Sequence, residues 1–342
     1  MKMAHGTIRK ILYINLAFIG DVLLSTPTIR ALRQQYPNAV IDMLVIPWAA
    51  QAAVGNPYVN HVYTYDKKGE HRNLKNLWKL ILKLRSNHYD IAITTNFAPR
   101  GALLAKAIGA RVRVGYDTQH AGLFLTHTVS ASRVVVRHET ENQLAVVKPL
   151  GITTSDFSLA FKHNPVDIEN MEKKIGISAN KAIVVICPFG RHPLNSWSIQ
   201  GYVDVLTALS RVASCYLIGG TAEKERLDEI NGKAGFCGRV LAGELSIGEL
   251  AAFLVQSSLV ITVDTGPMHL AAAVGVPILA LFGRSDVRVW GPRAACDQVI
   301  KVDLDCAPCI TPRECQHHSC MKDIKSDMVI GTALKMLANK PS

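Results

Sequence analysis

Apolar positions along the chain fall into short unbroken runs that alternate with stretches of helical spacing. In the first half, residues 11–15, 40–46, 61–65 and 90–95 read as strands, and 22–35, 74–85 and 102–108 read as helices. The second half repeats the pattern. Residues 182–187, 214–218, 259–263 and 277–282 are strand-like, while 199–209, 222–230, 247–256 and 268–273 are helix-like. Such alternation predicts an α/β fold of parallel sheets with helices on both faces. Periodicity is weakest over residues 153–180, around Pro165, which places the linker there. Two domains are expected, 1–165 and 166–342. They would face each other across a cleft, where ligands of such folds usually sit.

The length of 342 residues agrees with two domains. A composition 49% hydrophobic and 19% charged is enough for a sizeable core and excludes wholesale disorder. No low-complexity tract or short repeat period is present, which excludes solenoids and propellers. Residues 1–165 hold 20 Lys and Arg against 9 Asp and Glu, so the whole net charge of +11 lies there; the remainder has 18 of each. Either the first half meets a polyanion or this is a set of solvated helix faces. No zinc-finger, RNP or KH signature supports nucleic acid as the partner.

The N-terminus imitates a signal peptide, with Lys2, Arg9 and Lys10 before the apolar run 11–19. That run meets Gly20-Asp21 rather than a small-residue cleavage site, and it reads equally well as a buried first strand. The apolar stretch 250–282 is interrupted by Asp264, Pro267, His269 and Pro277, which argues against a membrane span. A soluble cytosolic protein is expected, with its eight cysteines as thiols or metal ligands rather than disulfides. Within 74–85, Leu74, Leu77, Trp78 and Ile81 recur at helical spacing, with Lys75, Lys79 and Lys83 on another face. This is either a packed helix with a solvated lysine face or a basic amphipathic helix of the kind that lies on anionic membranes.

Five segments carry candidate chemistry. After the first strand, Gly20 permits a tight turn and Asp21 opens a helix. Asp21 is either a helix cap or a general base at the carboxyl edge of a parallel sheet. A later strand runs into Asp264-Thr265-Gly266-Pro267, with His269 one turn on. That helix start is an anion site, and Gly266 lets a phosphate approach the backbone. The loop from Cys187 to Trp197 holds Gly190, Arg191 and Asn195 at a strand end, a weak phosphate-loop signal. Glu223 follows Gly219-Gly220 and either accepts ribose hydroxyls or complements a helix dipole. Finally, Cys306, Cys309, Cys315 and Cys320 crowd together with His317 and His318 beside them. They read as a tetrahedral zinc site, reduced thiols or a redox pair, with a spacing that fits no standard metal pattern.

The Gly20-Asp21-Val22-Leu23-Leu24-Ser25-Thr26-Pro27 opening, the Arg113-Val114-Gly115-Tyr116 step and the Asp264-Thr265-Gly266-Pro267-Met268-His269 run resemble the ADP-heptose:lipopolysaccharide heptosyltransferases, glycosyltransferase family 9. The resemblance implies two Rossmann-like domains in the GT-B arrangement, an N-terminal acceptor domain and a C-terminal donor domain. It implies an inverting enzyme that needs no cofactor and works on the lipopolysaccharide inner core, in peripheral contact with the cytoplasmic face of the inner membrane. Asp21 would be the general base. Thr265 and Gly266 would contact the donor diphosphate, Asp264 and His269 the donor sugar or its phosphates, Glu223 the ribose, and Gly190 and Arg191 the phosphate loop. The family's lysine two residues before Trp197 is Asn195 here, so Arg191 replaces its charge or the donor is another nucleotide sugar. Arg100, Arg111, Arg113, Arg133 and Arg137 are candidate contacts to an anionic acceptor. A non-catalytic binding protein in envelope assembly is the remaining alternative.

Overall fold

The computed structural model describes residues 8–131, 136–176, 181–309, 315 and 317–339. The chain divides after Ala160 into two compact units, Met1–Ala160 and Phe161–Ser342. In unit 1 the strands are β1 (Lys10–Asn15), β2 (Val40–Val45), β3 (His61–Thr64), β4 (Ile91–Thr94), β5 (Val112–Tyr116) and β6 (His127–Val129). Its helices are α1 (Ile19–Leu24), α2 (Thr26–Gln35), α3 (Ala50–Val54), α4 (Leu74–Arg85), α5 (Arg100–Ile108) and α6 (Glu139–Ala145). In unit 2 the strands are β7 (Ala182–Cys187), β8 (Ala213–Gly219), β9 (Arg239–Ala242), β10 (Leu259–Val263), β11 (Ile278–Phe282) and β12 (Gln298–Lys301). Its helices are α7 (Pro165–Ile175), α8 (Ile199–Leu209), α9 (Lys224–Lys233), α10 (Ile247–Val255), α11 (Gly266–Val274), α12 (Val287–Trp290), α13 (Ser319–Lys322) and α14 (Ser326–Ala338).

Each unit has one parallel sheet, ordered β3-β2-β1-β4-β5-β6 in the first and β12-β11-β10-β7-β8-β9 in the second. Numbered from each unit's own first strand, both follow the doubly wound order of a Rossmann sheet, with the chain reversing direction across the sheet between its first and fourth strands. Burial explains the unbroken apolar runs. Ile11, Leu12, Tyr13 and Ile14 of β1, and Val260 and Ile261 of β10, are all inaccessible to solvent. A strand covered on both faces has no outward position for a polar residue.

Several elements differ from the sequence reading. The helix expected over 22–35 begins at Ile19 and breaks at Ser25. The Ser25 and Thr26 hydroxyls donate to the carbonyls of Val22 and Leu23, both at 2.6 Å, and Pro27 has no N–H to continue the ladder. Pro165, expected as the boundary, is the first residue of α7. The side chain of Asn164 accepts from the Asp167 N–H at 2.8 Å, and the Asp167 carboxylate accepts from the Asn164 N–H at 2.9 Å. On α4, Leu80, Ile81 and Leu84 turn inward, while Leu74 and Trp78 stay exposed.

Trp197 locks the loop after β7 to the C-terminal part of unit 2. Its indole N–H donates to the Ile324 carbonyl at 3.1 Å, and its ring meets Tyr202 edge-on with centroids 5.0 Å apart. A Cβ at Gly201 would lie 2.4 Å from that indole. Gly201→Ala is therefore expected to cost about 1–3 kcal/mol of stability by overpacking. Urea unfolding checks this, and a variant as stable as the parent would contradict the packing described.

Candidate active site

The chemistry-bearing side chains of unit 1 collect at the carboxyl end of its sheet, where β1 and β4 part. The Leu16 N–H donates to the Asn96 side chain across that parting at 2.7 Å. Asp21 lies in the first turn of α1. Its carboxylate accepts from the Phe18 N–H at 3.1 Å, and its backbone carbonyl accepts from Asn15 at 3.2 Å and from Gln143 at 3.0 Å. Asp21 thus reaches back to close the helix start and is half-buried there.

The same amide of Gln143 also donates to Glu139 at 3.2 Å, and the Tyr13 hydroxyl donates to its carbonyl oxygen at 3.1 Å. Asn142 supplies a second donor to Glu139 at 3.2 Å. Burial pushes the Glu139 carboxyl up to about 7, and the Asp21 charge adds to the rise against the pull of its two amide donors. Burial and Glu139 also raise Tyr116, whose hydroxyl donates to the Asn142 carbonyl. Two carboxylates, one poised near neutrality, therefore share one end of the sheet.

The candidate arginines separate. Arg100 opens α5 and lines a cavity of about 420 Å³ with Leu16, Tyr65, Lys67, Asn96 and Phe124. Arg137 is exposed beside α6. The guanidinium of Arg113 donates to the carbonyls of Phe124 and Ala110, both at 2.7 Å. Arg111 lies just before β5, at the opposite edge from Asp21, and pairs with Asp90 at 3.7 Å. Arg133 lies outside the described residues.

In unit 2 the corresponding parting falls between β7 and β10. A Cβ on Gly190 would come 3.0 Å from the Asp264 carbonyl, so the two loops meet at van der Waals distance. The Asn195 amide bridges them, donating to the Asp264 carbonyl at 3.1 Å and, at 3.4 Å, to its carboxylate. Ser285 donates to that carboxylate at 2.5 Å. Burial raises the Asp264 carboxyl, while Ser285, Arg284 and Asn195 draw it back. Thr265 is the N-cap of α11 without using its side chain as a cap, Gly266 opens the helix, and His269 is buried one turn on. Glu223 accepts from the Gly220 N–H at 2.7 Å, the dipole-complementing role. Arg191 lies exposed in the loop after β7.

The residue that sequence reasoning missed here is Arg284, directly after β11. It is close enough to Asp264 and His192 to shift both. Among the described residues, its buried Nε has no hydrogen-bond partner. Its signal was present, since Gly283-Arg284-Ser285 ends a strand that the apolar pattern marked. Glu139 and Gln143 lacked such a signal, because their short helix has little periodicity.

The profile described as glycosyltransferase family 9 (heptosyltransferase) matches residues 77–319. Lipopolysaccharide heptosyltransferase 3 of Escherichia coli is 30% identical over 289 residues, covering 80% of this chain and 84% of that protein. The chain belongs to glycosyltransferase family 9. A family 9 glycosyl transferase from Veillonella parvula superposes with a TM-score of 0.89 at 24% identity, covering 98% of this chain and 99% of that one. The E. coli ADP-heptose lps heptosyltransferase II gives 0.84 at 21% identity, covering 97% and 100%. These likenesses establish the GT-B fold of two Rossmann-like domains.

Of the alternatives open for Cys306, Cys309, Cys315 and Cys320, a structural metal finds no support. Among the described residues, no group of three or more His, Cys, Asp or Glu side chains could hold a metal ion. Cys320 is drawn into the core of unit 2 with Met321 and Ile324, whereas Cys306 is exposed, 3.9 Å from His317. Among the described residues, no helix is long and apolar enough to cross a membrane.

The raised Glu139 carboxyl carries a pH signature. Unfolded, it releases its proton near the ordinary 4.5; folded, near 7. Between those values the folded chain holds more protons, so this group's contribution to stability falls as pH rises through the window. Glu139→Gln is expected to flatten that part of the thermal-stability profile. An unchanged pH slope in the variant would contradict the burial of this carboxyl.

Proposed function

We propose that the enzyme transfers heptose from ADP-heptose to an anionic acceptor of the lipopolysaccharide core, with inversion at the anomeric carbon. The observation that carries the reading is the half-buried Asp21 at the carboxyl end of β1, its carboxylate held by the Phe18 N–H and its backbone carbonyl by the Gln143 amide. In the proposed step, an acceptor hydroxyl oxygen attacks the anomeric carbon and Asp21 takes its proton. The bond from that carbon to the diphosphate breaks, and its electron pair leaves with ADP. Solved E. coli WaaC structures with ADP and with ADP-2-deoxy-2-fluoro heptose support the donor assignment, as does heptosyltransferase 3 among the relatives.

The leaving diphosphate gathers negative charge and needs fixed donors. Helix α11 offers its N-terminus through Thr265 and Gly266, and Arg284 offers a guanidinium. Asn195 then buttresses Asp264 rather than neutralising phosphate, so Arg284 takes over the charge that the family's lysine would supply. Asp264 and His269 face the donor, Gly190 and Arg191 border the phosphates, and Glu223 meets the ribose. The acceptor falls to unit 1, whose excess of cations suits phosphates and carboxylates, with Arg100 and Arg137 as its contacts. The reaction requires no cofactor and belongs at the cytoplasmic face of the inner membrane.

Asp21→Ala should lower turnover by about 10²–10⁴-fold, the contribution of a positioned base, while calorimetric ADP affinity stays as in the parent. Retained turnover would remove Asp21 from the mechanism. Arg284→Gln should weaken ADP binding by about ten- to a hundredfold, the loss of a charge-assisted contact. Unchanged ADP affinity in that variant would return the phosphate charge to Arg191. A panel of nucleotide sugars tests the donor, and faster transfer from one other than ADP-heptose would overturn that assignment.

A further inference from the structure

Helix α4 carries more apolar surface than unit 1 covers. Successive residues advance about 100° around a helix, so the apolar positions of α4 span an arc of about 200°, interrupted by Arg85 in the last turn. Only half of that arc faces inward: Leu80, Ile81 and Leu84 are buried and Leu77 is half-buried. The other half is the stripe Leu74, Trp78 and Leu82, which are 79%, 57% and 47% exposed. Lys75, Lys79 and Lys83 form the next stripe round the helix, all exposed, with Lys83 reaching 5.4 Å over the Tyr63 ring. The helix has no acidic residue, and Arg85 adds a further cation at its end.

We infer that this outer face of α4 is a docking surface for an anionic lipid bilayer. Leu74, Trp78 and Leu82 enter the boundary between headgroups and acyl chains, an interface that tryptophan favours. The lysine stems lie along the apolar edge while their ammonium groups meet lipid phosphates. Charge decides among occupants. A second copy of the same face would bring two lysine stripes together. A nucleic acid would match the lysines and leave the Leu-Trp-Leu stripe in water. A bilayer with anionic headgroups satisfies both stripes at once.

The inference rests on α4 alone, and its test uses no donor or acceptor, so it stands or falls separately from the transfer reaction. The full chain is sedimented with vesicles of phosphatidylethanolamine and phosphatidylglycerol, and with vesicles of phosphatidylcholine. Partitioning should be about tenfold or more stronger on the anionic vesicles and weaken with salt. Leu74→Ser with Leu82→Ser should reduce it about tenfold, and Lys75→Gln with Lys79→Gln should flatten the salt dependence. Both double variants change exposed positions, and circular dichroism with ADP binding checks that they fold. A blue shift of tryptophan emission on anionic vesicles should vanish in Trp78→Phe. Equal binding to both vesicle types, or undiminished binding of the leucine variant, would overturn the inference.

Discussion

A parallel sheet covered on both faces leaves polar chemistry only one place to go, the loops beyond the strand ends. Both units obey that constraint in the same way. In each, the first and fourth strands lie side by side, and their following loops diverge to opposite faces of the sheet. Asp21 follows β1 and Asn96 follows β4; Asn195 follows β7 and Asp264 follows β10. Cross-links then fix the partings, Leu16 to Asn96 in one and Asn195 to Asp264 in the other. Within each unit, the candidate residues take their geometry from that parting.

What differs is the charge that each parting presents. The first sets two carboxylates near each other under a net cationic surface, and burial lifts one of them towards neutrality. The second has a balanced surface and presents oriented groups: a helix start, a serine hydroxyl, an amide and a guanidinium. A base for an incoming alcohol suits the first environment. A cradle for a departing diphosphate suits the second, because fixed dipoles there need no reorganisation as charge develops.

Most of this frame was legible from the chain itself. The fully buried strands announce themselves as apolar runs, and Asp21, Asp264 and Gly266 follow such runs directly. The weaker elements were not legible, for physical reasons. Strands β5, β9 and β12 are short and lie away from the sheet centre, so their outer positions tolerate polar residues. Helix α7 has five charged residues among eleven and opens on a capping box that hydropathy does not register. Glu139 and Gln143 matter through a hydrogen-bond network assembled from residues 130 positions apart in sequence, such as Tyr13 with Gln143. The cysteines show a different limit. Cys306, Cys309 and Cys315 do lie near enough to Cys320 to raise its thiol. Spacing along the chain does not register that α13 carries Cys320 into the core while Cys306 stays exposed, and among the described residues no metal-holding group forms.

The most direct check of the central claim is the stereochemistry of the product. With ADP-heptose and a defined truncated core acceptor, the anomeric configuration of the transferred sugar is read by NMR coupling constants. A single product inverted relative to the donor is the outcome required by one-step attack with Asp21 as base. Retention of the donor configuration would contradict that chemistry.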